Sequence, residues 1–469
     1  MNDFLSLLPL IIICSGGIVL MLLSVLETMK TETASYISLG FFGIAFFIQF
    51  LIACFPESYL FAGTFSSMLV ANSFTGVAGL IILGAGFFTA MSCHTYFQQN
   101  KVCTVEFYSL LLFASCGMIL LTLARELITA FISLEIMSLA IYILVGYDRK
   151  RVTSTEALLK YLMLGAFAGA FFTMGTALVY GAAGSTRFVE ISSYISSNSA
   201  ATPLLIGGAF FILIAFLFKV AAFPFHAWVV DVYDGAATPV TGFMATALKA
   251  AVFTVFANFL AINGALQKEW ITFLFYIALF TMFGGNLIAI GQSNIKRMLA
   301  ASGIVHSGYL LIGLIAISTK SFTGSVIAYY LAAYAVGTLG IFAALSYLGG
   351  KNESRVSFDD FKGLAKVRPY SAAAISVFLL SMAGIPPTAG FMGKFYIITS
   401  AIAEGQIALA VFGVISSILS MWYYLRLIIC MYFNEAEDSF EIEKSPFAPA
   451  CTFILAVCVF AIGLYPIVI

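Results

Sequence analysis

Apolar runs of about twenty residues, separated by short polar breaks, recur along the whole chain, and that is the length a helix needs to cross a bilayer core. They place spans at Phe4–Val25, Tyr36–Cys54, Phe74–Tyr96, Phe107–Leu123, Leu127–Val145, Ala157–Tyr180 and Ala201–Ala222. Seven more follow at Val240–Ile262, Ile271–Ile290, Met298–Ile317, Phe322–Leu348, Ser371–Ile402, Gln406–Tyr432 and Phe447–Ile469. No loop between them is long enough for a soluble domain. The pattern predicts an all-α polytopic membrane protein with 14 transmembrane helices.

Composition agrees and narrows the function classes. Of 469 residues, 62% are hydrophobic and 9% charged, with a mean hydropathy of +1.04. Soluble domains carry about 25% charged residues, so a soluble enzyme and a disordered chain are both excluded. Lys+Arg 22 balances Asp+Glu 22, which leaves no basic surface for nucleic acid. The eight cysteines mostly lie in apolar runs without a C-x-x-C pair, and the three histidines are far apart. Neither a zinc site, nor a disulfide framework, nor a local metal motif is expected. Met1-Asn2-Asp3 lacks the basic flank of a signal peptide and leads straight into an uncleaved span.

Basic residues in loops orient such a chain. With the N-terminus outside, thirteen fall in inward loops: Lys30, Lys101, Arg149, Lys150, Arg151, Lys296, Arg297, Lys351, Arg355, Lys362, Lys366, Arg368 and Lys444. Four, Arg125, Arg187, Lys268 and Lys320, fall in outward loops. Both termini are therefore expected on the periplasmic side of a bacterial inner membrane.

Five basic residues remain inside spans: Lys160, Lys219, Lys249, Lys394 and Arg426. A charge at mid-bilayer costs roughly 2.5–3.5 kcal/mol on insertion scales, so each is a functional suspect. Lys160 and Arg426 lie near span ends and can snorkel, and Glu156 offers Lys160 a partner one turn away. Glu135, Lys249 and His306 lie near the centres of their spans, too deep to reach water by stretching. The plainer alternative for the two charges is a buried ion pair between helices, and for His306 a neutral ring bonded to a carbonyl.

Lys219 and Lys394 carry a second signal. Ala201 to Val230 would be a helix of about 45 Å, longer than the hydrocarbon is thick, and Pro224 interrupts it just after Lys219. Ser371 to Ile402 contains Gly384, Pro386, Pro387, Gly390 and Gly393 around Lys394. Proline removes a backbone donor and clashes with the preceding turn, so both spans are expected to break. Such breaks survive in a membrane where protein or trapped water satisfies the freed backbone groups; a dry kink is the simpler alternative. The broken spans are the seventh and twelfth, an odd offset, so they cross in opposite directions. That predicts two inverted five-helix repeats, spans 4–8 and 9–13, hence units at 1–102, 103–265, 266–434 and 435–469.

These groups suit proton transfer. A buried lysine gains or loses its proton as its surroundings change, since loss of water favours the neutral form and a nearby carboxylate the charged one. Glu135 beside Lys219 would form such a variable pair, with Lys249 and His306 as intermediate stations and Lys394 the last. No P-loop, dinucleotide fingerprint, haem motif or iron–sulfur cysteine pattern supplies energy, so a partner must.

Phe131-Ile-Ser-Leu-Glu135-Ile-Met-Ser-Leu-Ala-Ile-Tyr, Phe218-Lys219-Val-Ala-Ala-Phe-Pro224-Phe-His226-Ala-Trp228 and Gly384-Ile-Pro-Pro-Thr-Ala-Gly-Phe-Met-Gly-Lys394-Phe resemble the antiporter-like subunits of respiratory complex I. Asp231-Val-Tyr-Asp-Gly235-Ala-Ala-Thr-Pro239-Val-Thr resembles the N-type branch, counterpart of mitochondrial subunit 2, and Lys296-Arg-Met-Leu-Ala-Ala-Ser-Gly-Ile-Val-His306-Ser-Gly-Tyr fits it too. Asp234, Ala237 and the stretch from Ser302 to His306 are local variants of the pattern. The chain stops without the lateral helix expected of the L-type, and Lys394 stands where the M-type would have glutamate. The resemblance implies a proton-pumping membrane-arm subunit of an NADH-quinone oxidoreductase, with Glu135, Lys219, Lys249 and Lys394 as the matching pathway positions. It implies other antiporter-like and small helical membrane-arm subunits as partners. No cofactor is expected on this chain; NADH, FMN, iron–sulfur clusters and quinone belong to the parent complex. A multi-subunit cation/proton antiporter and a non-pumping scaffold are the alternatives.

Overall fold

The computed structural model describes residues 6–25, 29–54, 68–100, 104–197, 202–262, 267–317, 324–435 and 445–465. Phe4, Phe322, residues 466–469, Lys101, Lys320 and Lys444 lie outside them. Helices account for the regular structure, and among the described residues extended pairing is limited to isolated bridges such as Leu69 with Ala124. Among the described residues, eleven helices are long and apolar enough to cross a membrane.

In chain order the helices begin with α1 (Leu8–Ser24), α2 (Thr31–Cys54), α3 (Ser73–Asn100), α4 (Val105–Leu123), α5 (Leu127–Val145) and α6 (Val152–Ala183). A short amphipathic helix, α7 (Phe188–Ser197), buries Phe188, Ile191 and Ile195 and leads to α8 (Pro203–Lys219). Next come α9 (Val229–Gly235) and α10 (Thr238–Phe243), the latter joined through a π-helical turn (Met244–Leu248) to α11 (Lys249–Ile262). The remainder are α12 (Gln267–Ile290), α13 (Ile295–Ile317), α14 (Ser325–Leu348), the single turn α15 (Leu364–Val367), α16 (Pro369–Ala383), α17 (Ala389–Ala403), α18 (Ile407–Phe433) and α19 (Phe447–Leu464).

Burial separates pillars from perimeter. Every residue in the most apolar part of Thr238–Ala261 and of Ile295–Ala316 is buried, against 22% of the corresponding part of α2 and 28% of that of α6. The two central helices are also where the sequence puts Lys249 and His306. Helices at the edge present Ile132, Ile136 and Leu139 on α5, or Ile418 and Trp422 on α18, to their surroundings, the composition expected of lipid- or partner-facing surface.

Both expected breaks are present, in different forms. The first falls earlier than Pro224: α8 ends at Lys219, and residues 220–228 are non-helical before α9 begins. Proline at 224 cannot donate to the carbonyl of residue 220 and disfavours helix at residue 223, so the loss propagates backwards along the chain. Ala221 there adopts φ 57. The second break spans residues 384–388, between α16 and α17, and contains Pro386 and Pro387. Gly384 closes α16 with φ 86, a left-handed conformation glycine adopts without strain.

Candidate functional site

Lys219 is the last residue of α8, and its ammonium points at α5. Its Nζ donates to Ser138 Oγ at 2.7 Å and to Tyr142 OH at 3.4 Å. The rings of Tyr142 and Tyr161 lie 5.5 and 5.7 Å from it, within cation–π reach. Glu135 is half-buried on the same α5 helix, with its carboxylate against Gly169 of α6; a Cβ there would stand 3.1 Å from Oε1. The expected direct contact between Glu135 and Lys219 is not made. Ser138, one turn along α5 from Glu135, takes the ammonium instead, because residues three apart share a helix face and the shorter side chain leaves room for Lys219.

Lys249 follows the π-helical turn directly and is fully buried. Its Nζ donates to the carbonyl of Gly303 on α13 and lies 5.3 Å from the Tyr334 ring. Gly303 makes that approach easy, since a Cβ would sit 3.3 Å from Lys249 Nζ and 3.2 Å from Tyr334 OH and push both tips back by a few tenths of an ångström. One turn further along α13, Ser307 Oγ lies 2.7 Å from Val220 O, next to Lys219, and 3.1 Å from Gly303 O. A single hydroxyl thus stands between the surroundings of two lysines.

His306 is held by two tyrosines. Nδ1 is 2.7 Å from Tyr330 OH and Nε2 is 3.2 Å from Tyr424 OH. A neutral imidazole donates at one nitrogen and accepts at the other, so both hydroxyls are satisfied whichever tautomer forms. Its ring centroid is 4.7 Å from that of Tyr334, the residue that also covers Lys249. Lys394 on α17 reaches back across the second break, donating to Ala383 O at 3.0 Å and to Ser417 Oγ at 2.8 Å. The Tyr309 ring lies 5.0 Å from it and 6.1 Å from the His306 ring.

Lys219, Lys249, His306 and Lys394 therefore form one buried row, spaced by hydroxyls and tyrosine rings. Lys160 does not join it: it is 40% exposed and pairs with both Glu156 and Asp231, each at 2.7 Å. Asp231 and Asp234 in turn meet Arg297 at 3.0 and 3.3 Å. Pro224, Pro386 and Pro387 sit in the breaks and are exposed. Among the described residues no group of three or more His, Cys, Asp or Glu side chains converges as a metal site requires.

Sequence reasoning overlooked the tyrosines and serines of the row. Tyr330 and Tyr334 are one turn apart on α14, a spacing that reads as ordinary core packing. Ser138 carries a usable signal, three residues after a mid-span carboxylate. Glu353 was overlooked as well; it is buried in the turn after α14 and gathers two cations, Arg151 just before α6 and Lys296 in the first turn of α13.

Fold and site together define a polytopic helical membrane protein with ionisable groups sealed along its centre. The chain belongs to the NADH:quinone oxidoreductase/Mrp antiporter transmembrane family, whose model matches residues 124–420. It is 40% identical over 380 residues to NADH-quinone oxidoreductase subunit N of Trichlorobacter lovleyi, covering 81% of this chain and 78% of the relative. It is 36% identical over 497 residues to NADH-quinone oxidoreductase subunit N 1 of Sorangium cellulosum, covering 99% and 97%. Among solved structures, a chain of respiratory complex I from Thermus thermophilus matches with a TM-score of 0.83 and 30% identity over 98% of this chain and 97% of that one. A chain of the Mrp complex from Dietzia, 19% identical with a TM-score of 0.84 over 99% and 94%, shares the fold.

Proposed function

We propose that the chain is an N-type antiporter-like subunit in the membrane arm of a proton-translocating NADH:quinone oxidoreductase of a bacterial inner membrane. In this reading NADH oxidation and quinone reduction, with their FMN and iron–sulfur clusters, take place in partner subunits. This chain contributes protein side chains alone.

The observation that carries the reading is the row itself. Three lysines, each nearly or fully buried, face hydroxyls and carbonyls instead of carboxylates. An unpaired buried ammonium is costly, so its proton is easily displaced by a change in the local field. Each lysine also has an exchange partner close by: Ser138 and Tyr142, Ser307 beside Gly303, and Ser417. Glu135, one helical turn from Ser138, supplies the carboxylate whose influence biases Lys219. His306, between Tyr330 and Tyr424, links the half containing Lys249 to the half containing Lys394. Lys160, in its half-exposed network, serves as a feeder at the edge of the row.

The layout we propose has fourteen spans, with α8 and α9 forming the broken seventh and α16 and α17 the broken twelfth. The units are 1–102, 103–265, 266–434 and 435–469, the middle two being inverted repeats. Loop charges support placing both termini on the periplasmic side. A subunit of a multi-subunit cation/proton antiporter shares the fold, but the Asp231-Val-Tyr-Asp segment and the named relatives favour the oxidoreductase.

The test substitutes Lys219→Ala and Lys394→Ala in the intact complex. A native gel is expected to show normal assembly, while NADH-driven proton pumping in everted vesicles falls roughly tenfold or more, the scale of removing a positioned proton carrier. A normal ratio of protons to electrons in both assembled variants would overturn the reading. Loss of assembly in both would favour a scaffold.

A further inference from the structure

The span from Thr238 to Ala261, which carries Lys249, begins without a cap of its own. Ala237 precedes it and has no side-chain acceptor, and Pro239 has no N–H. The backbone N–H of Thr238 is taken by a residue 115 positions away: it donates to Glu353 Oε1 at 2.8 Å, and the Thr238 hydroxyl donates to the same oxygen at 2.6 Å. Tyr96 OH also donates to Oε1, at 3.0 Å. The second oxygen accepts from Lys296 Nζ at 2.9 Å and Arg151 Nη1 at 3.1 Å.

Lys296 does more than neutralise. Its Nζ also donates to Asp234 O at 3.0 Å and Ala236 O at 2.8 Å, the carbonyls at the end of α9. The Glu353–Lys296 pair therefore joins the end of the segment after the first break to the start of the Lys249 helix. The turn that presents Glu353 is held in an unfavourable backbone shape, with Asn352 at φ 56 and Glu353 at φ 55. An L residue adopts that region at a cost, and Asn100 Oδ1 fixes it by accepting from Asn352 N at 2.6 Å. Burial pushes the Glu353 carboxyl up, but Lys296, Arg151 and Thr238 outweigh it and hold it at about 2. The group stays ionised across the neutral range, beside Tyr96, Arg151, Lys296 and the more distant Asp148.

A closed mechanical loop results. Lys296 and Gly303 lie on the same helix α13, two turns apart, and Thr238 and Lys249 lie on one continuous span. Glu353–Lys296 ties the two helices at one end, and Lys249 meets Gly303 further along. We propose that Glu353 is a positioning residue for proton transfer: a helix cap supplied from a remote turn, it holds the Lys249 helix in register against Gly303. The proposal rests on the proton-pathway reading above.

The test uses the whole complex in everted vesicles and reads protons pumped per quinone reduced, which the amount of assembled enzyme does not change. Glu353→Ala is expected to lower that ratio roughly tenfold, within the up to about 10²-fold that a misplacement of about an ångström can cost. Glu353→Gln is expected to retain more than half of it, because the amide oxygen still accepts from Thr238. Thr238→Pro keeps both ion pairs and removes only the capped donors, at a helix position that suits proline; it is expected to behave like Glu353→Ala. It also decides the matter if Glu353→Ala does not assemble. A normal ratio in Thr238→Pro, or a Gln variant as impaired as the Ala variant, would overturn the proposal in favour of charge neutralisation alone. A normal ratio in a Lys249→Ala control would instead overturn the proton-pathway reading.

Discussion

The two breaks bring a lysine to the same electrostatic setting by opposite routes. At the first, Lys219 is the last residue of its half-helix and points away to α5. At the second, Lys394 belongs to the half-helix after the break and reaches back to Ala383, the last residue of the half-helix before it. Lys219 is thus carried in the last turn of a truncated helix, and the Lys394 ammonium is placed on the last carbonyl of one, where the backbone dipole favours a cation. The support differs. The second break is closed locally, with Gly384 N and Ile385 N returning to Leu380 O, Thr388 Oγ1 to Ile385 O, and Gly390 N to Ser381 Oγ. The first borrows from elsewhere: Thr281 Oγ1 accepts from Phe223 N at 2.9 Å, and Ser307 Oγ donates to Val220 O at 2.7 Å. Trp228 Nε1 donates to Phe218 O at 3.2 Å across the gap. The division is one of degree: Ala221 N and Ala222 N at the first break return to Phe218 O and Leu217 O, and Ser417 Oγ of α18 donates to Ala383 O at 3.2 Å at the second. The longer break has more groups for neighbouring helices to satisfy.

The largest effect that would break this comparison lies in the second region. A Cβ at Gly390 would overlap the Ser381 carbonyl, so Gly390→Ala must part the half-helices, at or beyond the upper end of roughly 1–3 kcal/mol for overpacking. Loss of the assembled complex on a native gel is expected, and wild-type accumulation would refute local closure. Next comes the borrowed support of the first region. Thr281→Val and Ser307→Ala each orphan a backbone group and are expected to cost about 1–3 kcal/mol. Both should lower the thermal midpoint of the purified complex while leaving its composition intact; an unchanged midpoint would show that the first break needs no tertiary support. The smallest and sharpest contrast concerns the lysine partners. Ser138→Ala leaves Lys219 only the 3.4 Å contact with Tyr142, while Ser417→Ala leaves Lys394 its 3.0 Å contact with Ala383. Ser138→Ala is expected to reduce pumping by roughly fivefold, equivalent to about 1 kcal/mol, and Ser417→Ala by less. Equal losses would mean that the two settings are interchangeable.

The second break was legible because its cause is local: Gly384, Pro386 and Pro387 interrupt a helix wherever they occur. Pro224 announced the first break but not its length, which depends on Thr281 and Ser307 being available to receive it. The row of Lys219, Lys249, His306 and Lys394 was also legible, since a charge in an apolar run is conspicuous whatever surrounds it. The Glu135–Lys219 contact was misread, and the tyrosines were overlooked, because a tyrosine in a membrane helix looks like packing until its hydroxyl is seen on an imidazole. Lys160 belonged, as its spacing from Glu156 suggested, to a half-exposed pair.

By itself the sequence determined that this chain lives in a membrane, that Lys219, Lys249, His306 and Lys394 are buried in it, where its helices must be interrupted, and which family it resembles. Those properties follow from transfer energies and backbone sterics, which act residue by residue and over a few neighbours. Only the tertiary structure decided that Lys219 meets Ser138, that Lys249 rests on Gly303, and that Glu353 caps a helix more than a hundred residues away. A buried donor accepts any suitable oxygen within about 3 Å, and packing between distant segments selects which one is there.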